Sequence, residues 1–291
     1  MKILGMLQTK DEFDDIKKYT SGIILTNRFS SYYDIQFSDS LIEEILKKEP
    51  NQECYALVNK ILFEEDLDEI HSFIERFKDT KLYFIFADLA VYQILKELNI
   101  TSRGVYNPNT LISNYVDLLF WESKDIKGVF PTLEIPLNDV KKICHNKTSN
   151  IFYQAFGYAQ MFQTKRQILS AYKEYKNVSF DTEKNDMYLV EETRNERYKI
   201  IENNANSIIF QSGIHSILEG LPVLINDCDY IMIDHRFIDK NDYLFALNIY
   251  DKAINDIQNI SKYQEELSVH FNNLTTDFMY QDSIFKKEDF W

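Results

Sequence analysis

The chain has 291 residues, 45% of them hydrophobic, with only seven glycines and five prolines. This excludes an intrinsically disordered chain, which lacks the apolar residues to bury, and a collagen-like or low-complexity one. Charged residues interrupt every apolar run well before ~18 positions, so no segment reads as a membrane span. Forty-six Asp+Glu against 32 Lys+Arg give a net charge of −14. Phosphate affinity comes largely from Lys and Arg, which argues against DNA coating and adhesion to an anionic membrane. An RNA held by a local basic patch stays open.

The opening MKILGMLQTKDEF is too short for a signal-peptide core and has no small-residue cleavage site, so a cytoplasmic location is expected. Cys54, Cys144 and Cys228 are odd in number and far apart, which argues against a disulfide framework. Without a C-x-x-C, neither a structural zinc site nor a cysteine-ligated iron–sulfur cluster is expected within the chain.

Short apolar runs alternate with helical patterns along the chain. Lys2–Leu7 reads as a strand, Lys10–Tyr19 as a helix and Gly22–Thr26 as a strand. Ser38 caps a predicted helix over Leu41–Lys48. Strands Cys54–Val58 and Leu82–Phe86 flank helix Leu67–Phe77, and helix Leu89–Leu98 follows. Arg103–Tyr106, Lys127–Pro131 and Asn150–Ala155 continue the strands, with helices Thr110–Glu122 and Leu137–Cys144 between them. Asp229–Ile233 and a long helix Tyr243–Leu267 complete eight strand-then-helix units. Near-continuous apolar strands fit a parallel sheet buried on both faces. No G-x-G-x-x-G or P-loop accompanies them, which favours a closed (β/α)8 TIM-type barrel, an α/β fold, over an open nucleotide-binding sheet. Alternating segments and the Asn203–Asn206 turn signal predict a β-hairpin excursion at about 177–211. The barrel is thus expected over 1–275, with 276–291 as a tail or small hairpin.

Chemistry in such a barrel occurs where strands end and βα loops begin. Those ends carry Gln8, Thr26-Asn27-Arg28, Asn59-Lys60, Asp88, Tyr106-Asn107, Glu134, Gln154 to Gly157, and Asp234-His235-Arg236. Glu134, after an apolar strand, reads as a buried general base or ligand. Asp234, His235 and Arg236 place an acid, a titratable imidazole and an anion fork on one strand end. His71, His145, His215 and His270 are isolated, and Ser170 and Ser212 lack a G-x-S-x-G setting. The 19 Tyr and 21 Phe suit base stacking, but a thick barrel core accounts for most of them.

The stretch IFYQAFGYAQMFQTKRQILSAYKEY (151–175) resembles the signature region of the collagenase-like peptidase U32 family, whose pattern runs approximately E-x-F-x-x-G-x-x-C, six residues, then C-x-x-S. Gly157, Arg166 and Ser170 fall on matching positions. Gln160 and Gln167 replace the two signature cysteines, and Phe152 replaces the leading Glu. VFPTLEIPLNDVKKI resembles the segment carrying the family's glutamate, here Glu134. In the later I-E-G-R-x-K-S stretch Asp234 replaces Glu, His235 replaces Gly, and Arg236 is retained. Asp88 and Asn114 also stand at family-like positions. The resemblance implies a (β/α)8-type barrel and peptidase or hydroxylation chemistry, including 5-hydroxyuridine formation at the tRNA wobble position. Some relatives hold an iron–sulfur cluster through cysteines that this chain lacks, so it resembles the short, cysteine-poor members that occur beside a longer relative.

Three functions follow. In tRNA wobble-uridine hydroxylation, Lys165, Arg166, Arg194, Arg197 and Arg236 form a local anion site for tRNA phosphate or an acidic small molecule. Gln154, Gly157, Ser170 and Asn114 complete the substrate site, while Glu134, Asp88, Asp234 and His235 orient or move protons. As a peptidase, the chain shows no Ser/His/Asp, Cys/His or zinc constellation. As a non-catalytic partner, it positions a longer relative.

Overall fold

The computed structural model describes residues 1–32, 36–182, 186–193, 196–203 and 206–281. Seven strands, β1 (Lys2–Met6), β2 (Gly22–Leu25), β3 (Glu53–Val58), β4 (Leu82–Phe86), β5 (Gly104–Tyr106), β6 (Gly128–Val129) and β7 (Asn150–Gly157), lie side by side and parallel. Between them run α1 (Phe13–Ile16), α2 (Asp39–Lys48), α3 (Leu67–Arg76), α4 (Leu89–Glu97), α5 (Tyr115–Glu122) and α6 (Leu137–His145). The chain then makes β8 (Gln160–Thr164), α7 (Ile168–Lys176), β9 (Met187–Val190), β10 (Arg197–Glu202), β11 (Ser207–Phe210) and β12 (Ile214–Ser216). It returns through α8 (Leu221–Leu224) to β13 (Tyr230–Ile233), followed by α9 (Lys240–Asn255), α10 (Ile260–His270) and β14 (Leu274–Thr275). Because β13 pairs in parallel with both β1 and β7, the eight strands close into a (β/α)8 barrel.

Two compact units result, 1–157 with 215–291, and 158–214. In the first, β12 pairs antiparallel with the end of β7, placing His215 opposite Gly157. The second is a four-stranded antiparallel sheet of order β8-β11-β10-β9 with the helix α7. The hairpin strands are expected from their alternation. The strand β8 is not, because Gln160–Thr164 has no apolar alternation.

Other differences have local causes. The predicted helix at Lys10–Tyr19 is one 3-10 turn and one α turn. The helix expected from Thr110 begins at Tyr115, because the Asn114 side chain accepts the Val116 and Asp117 N–H groups and caps it there. The long terminal helix breaks at Asp256, whose carboxylate accepts from Asn259 and Tyr263 and starts a new helical segment. The part of the predicted tail beyond residue 281 lies outside the described residues. Among those residues, no helix is long and apolar enough to cross a membrane.

The barrel interior holds Leu4, Met6, Ile24, Tyr55, Leu57, Ile85, Val105, Phe130, Phe152, Tyr230 and Met232. Phe152 and Tyr230 stack at 4.4 Å, and Tyr55 and Tyr83 at 5.0 Å. The strands must approach closely at β6, where a Cβ on Gly128 would sit 2.1 Å from the Asn150 carbonyl oxygen. At the N-terminal end the phenols of Tyr55 and Tyr230 donate to Glu53, which also pairs with Lys2 at 2.9 Å. The Lys127 ammonium lies 4.0 Å from the Tyr83 ring centroid. Burial favours the protonated Glu53 carboxyl, yet hydrogen bonds from Tyr55 and Lys2 outweigh it and hold the pKa below the usual range. Glu53→Gln is expected to lower stability by about 1–2 kcal/mol, measured as a shift in urea midpoint. An unchanged midpoint would show the floor of the barrel to be held by packing alone.

Candidate functional site at the barrel mouth

Successive strand residues face opposite sides, so the inner face of each strand can be followed past its last apolar residue. Two positions on lie Gln8, Thr26, Asn59, Asn107, Thr132, Gln154 and Asp234, with Ala87 on the remaining strand. Thr26, Asn59, Thr132, Gln154 and Asp234 are buried. One period therefore builds an apolar core and a polar layer at its C-terminal end. Gln154 lies beside Met232 in register, and its buried Nε2 has no hydrogen-bond partner among the described residues. A buried amide donor without an acceptor marks a place where a water or a ligand atom belongs.

The charged part of the layer is Asp234 and Arg236, both buried. Asp234 Oδ2 accepts from Arg236 Nε at 2.8 Å and lies 2.6 Å from its terminal nitrogen, while Oδ1 accepts the Arg236 backbone N–H at 2.9 Å. The pair cancels its own charge and holds the guanidinium plane in one orientation. Gly157 makes room for it: its φ is +118°, and a Cβ there would lie 2.7 Å from Asp234 Cβ. Just after Arg236, Phe237 adopts φ +60°, strained for a bulky side chain, and stacks on Tyr32 at 5.9 Å. His235 turns elsewhere and meets Tyr243 of α9 edge-on at 5.5 Å. Burial pushes its pKa below the ordinary value of 6.5, favouring the neutral imidazole.

The remaining predicted residues separate from this cluster. Glu134 is exposed on the loop between β6 and α6, so it is not the buried base expected of it. The strand β6 ends at Val129, too early to carry Glu134 into the core. Thr132 is the buried polar group there. Asp88 caps α4 through the Ala90 N–H at 3.0 Å and accepts the Leu62 N–H at 3.3 Å, tying two mouth loops together. Asn114 is the exposed cap of α5. Beside them, buried Asn27 and Ser30 both donate to the Leu57 carbonyl and fix the loop after β2.

Residues 27–288 match the model of peptidase family U32. The chain belongs to peptidase family U32. Among curated proteins it is similar to tRNA hydroxylation protein P2 of Bacillus subtilis (strain 168), 23% identical over 260 residues, covering 83% of this chain and 84% of that protein. Among solved structures it is similar to a GH18 chitinase from Cycas revoluta (8% identity, 87% of this chain and 99% of that one, TM-score 0.40). It is also similar to a glycerophosphodiester phosphodiesterase from Parabacteroides distasonis (12%, 61% and 90%, TM-score 0.39). These two distant likenesses carry no statement about activity.

In this U32 chain the signature region divides between the two units: Gly157 ends β7, whereas Lys165, Arg166 and Ser170 belong to the small unit. Ser170 is already engaged there. Its N–H and hydroxyl, together with the Leu169 N–H at 2.7 Å, donate to the buried Glu202 carboxylate, which also accepts from Ser207 Oγ at 3.1 Å. Glu202 fills the anion position at the start of α7, a role hidden in the sequence because it lies 33 residues from Leu169. Arg194 lies outside the described residues.

Gln160 and Gln167, at the signature cysteine positions, offer amides in place of thiolates. Cys54, Cys144 and Cys228 are free and buried in the barrel unit. Burial pushes Cys54 up to about 12, while contact with Cys144 and burial raise Cys228 well above the ordinary thiol value. An iron–sulfur cluster takes several cysteine ligands gathered at one place, and these three are not so grouped, so they do not fit one. No group of three or more His, Cys, Asp or Glu is placed to hold a metal among the described residues.

Two outcomes follow. Asp234→Asn leaves a buried guanidinium uncompensated and is expected to cost about 3–5 kcal/mol, whereas Asp234→Asn combined with Arg236→Gln costs less. Urea denaturation of the three proteins reads this, and equal losses would show that the pair is not coupled. For His235, the unfolded chain takes up a proton first as pH falls. Its contribution is therefore whole above about pH 6.5 and declines below it. His235→Gln is expected to narrow the gap between urea midpoints at about pH 8 and about pH 5.

Proposed function

We propose that this U32 protein takes part in tRNA hydroxylation, with the barrel mouth holding the nucleotide. The observation that carries the reading is the near end-to-end match to tRNA hydroxylation protein P2, 83% of this chain against 84% of that protein. The family match also spans both units, which favours a task shared by the whole chain over a scaffold alone.

The chemistry of the mouth supports a nucleotide. Thr132, Asn59 and Gln154 supply neutral hydroxyl and amide groups suited to the edge of a base. Arg236, held in one orientation by Asp234, presents a fixed guanidinium donor suited to a uracil carbonyl. These groups bind and orient, and the oxygen transferred comes from a donor outside the chain. A longer, cysteine-bearing relative is the partner that fits this division. Among the described residues of the mouth, no serine or cysteine nucleophile is paired with a base as peptide hydrolysis would need. A buried His–Asp pair, His215 with Asp277 at 2.7 Å, joins β12 to the segment after β14, and His215 Nε2 meets no serine or cysteine among the described residues.

Deletion of the gene is expected to remove 5-hydroxyuridine derivatives from bulk tRNA, measured by mass spectrometry of nucleosides. Complementation with the paired change Asp234→Asn with Arg236→Gln, which leaves no buried charge unpaired, should restore less than about a tenth of the wild-type level at equal protein abundance, the size expected for loss of one oriented charge-assisted contact. Unchanged hydroxyuridine in a strain lacking paralogous genes would end the proposal. Gelatin cleavage by the purified protein would favour the hydrolase reading instead.

A further inference from the structure

Charge is unevenly shared along the chain. Residues 158–214 contain eight basic and eight acidic side chains, so the rest holds 24 basic against 38 acidic and the entire −14. The arginines divide in the same way. In the barrel unit Arg28 pairs with Asp39 and Glu69, Arg76 with Glu43 and Arg236 with Asp234, while Arg103 donates to the Phe77 and Thr80 carbonyls. In the small unit, exposed Arg166 and Arg197 have no carboxylate within 4.0 Å among the described residues. Among the described arginines, Arg166 and Arg197 alone pair with neither a carboxylate nor a set of backbone carbonyls.

Arg197 also has a defined setting. It lies on β10 opposite Val190 of the edge strand β9, and Lys199 lies opposite Tyr188. Directly opposed residues of an antiparallel pair share a face, so Arg197, Lys199, Tyr188 and Val190 stand together. The Arg197 guanidinium sits 4.6 Å from the Tyr188 ring centroid and the Lys199 ammonium 5.7 Å from it. Tyr188 and Val190 are 40% and 63% exposed, open enough to receive a flat ligand. The neighbouring Glu196 does not neutralise Arg197, because its carboxylate accepts the Tyr198 hydroxyl on the opposite face. An exposed ring on an edge strand, with an uncompensated arginine of the next strand lying against it, is the arrangement that stacks an unpaired base and holds its phosphate.

We propose that the β9–β10 face of the small unit binds single-stranded RNA, a base stacking on Tyr188 with Arg197 and a phosphate meeting the Arg197 guanidinium. The inference rests on the tRNA reading above and supplies it with an RNA-recognition surface. The test is fluorescence anisotropy of the full chain with a labelled anticodon stem–loop RNA across a salt series, beside a fully paired hairpin of equal length. Tyr188→Ala is expected to weaken stem–loop binding about five- to a hundredfold with little change in salt slope. Arg197→Ala should reduce the magnitude of that slope by about 0.7–1, and Arg197→Lys should keep the slope while losing affinity. Arg76→Ala, whose partner is Glu43, should behave as wild type. Binding unchanged in Tyr188→Ala and Arg197→Ala, or an equal loss on the paired hairpin, overturns the proposal. So does loss of a co-purifying protein with tRNA binding intact. If gene deletion still removes hydroxyuridine while these variants bind normally, this surface is wrong and the function stands.

Discussion

The structure depends on β13 finding hydrogen-bond partners on both sides. Seven parallel strands would leave two open edges, and exposed strand edges invite pairing with other chains. By pairing with β1 and β7 together, β13 removes both. Asp229 secures the joint at its start: its backbone carbonyl accepts the Lys2 N–H at 2.7 Å, and its carboxylate accepts the Ile151 N–H at 2.8 Å and meets the Lys147 ammonium. Once the cylinder is closed, the ends of β7 and β13 are neighbours by necessity. Gln154, Gly157 and the Asp234–Arg236 pair then share one corner of the mouth.

That corner shows what closure allows. A guanidinium this deeply buried carries a desolvation penalty that its carboxylate must offset, and Asp234 does so from two residues away. Such a short-range pair needs a sharp backbone, and the neighbouring geometry supplies it through the left-handed Phe237 and the Cβ-free Gly157. Strain of this kind, of order 1–3 kcal/mol per residue, persists only where the surroundings over-determine it. Here they include the stacked Tyr32 and the Asp234 N–H donated to the Phe156 carbonyl at 2.9 Å. The orientation of Arg236 is therefore built into the backbone.

The eight barrel strands were legible because burial on both faces leaves continuous apolar runs, a signal independent of tertiary detail. The polar strand ends were legible for the related reason that a core has no use for Asn59, Gln154 or Asp234. What local sequence could not carry was distance. Glu134 reads as buried because VFPTLE looks like one apolar strand, but β6 is two residues long and the chain has left the sheet before Thr132. Ser170 reads as a substrate ligand because nothing near it in sequence reveals Glu202, which reaches it across the small sheet. The helix α7 and strand β8 are hidden for a similar reason: Ser170 at the start of α7 meets Glu202, and β8 finds its ladder partner in β11, each dozens of positions away. Asp88 and Asn114 read equally as site or cap, and the backbone N–H groups that reach them decide for the cap.

The distribution of charge bears on how an acidic protein handles a polyanion. At physiological salt, fields decay over ~8 Å, so an RNA responds to the surface it touches more than to the total of −14. The barrel mouth cannot supply phosphate affinity by itself, because Asp234 neutralises its guanidinium and the other buried groups of the layer are neutral. Such a mouth discriminates by hydrogen bonding and shape while contributing little non-specific attraction. Affinity for the backbone must then come from cations that the chain has not already spent on its own carboxylates. In the described structure the exposed arginines of that kind are Arg166 and Arg197, both in the unit where acid and base balance, whereas Arg103 is held by backbone carbonyls. The acidic surplus of the barrel unit and the balanced charge of the small unit therefore act on a polyanion as separate surfaces, the first repelling it and the second not.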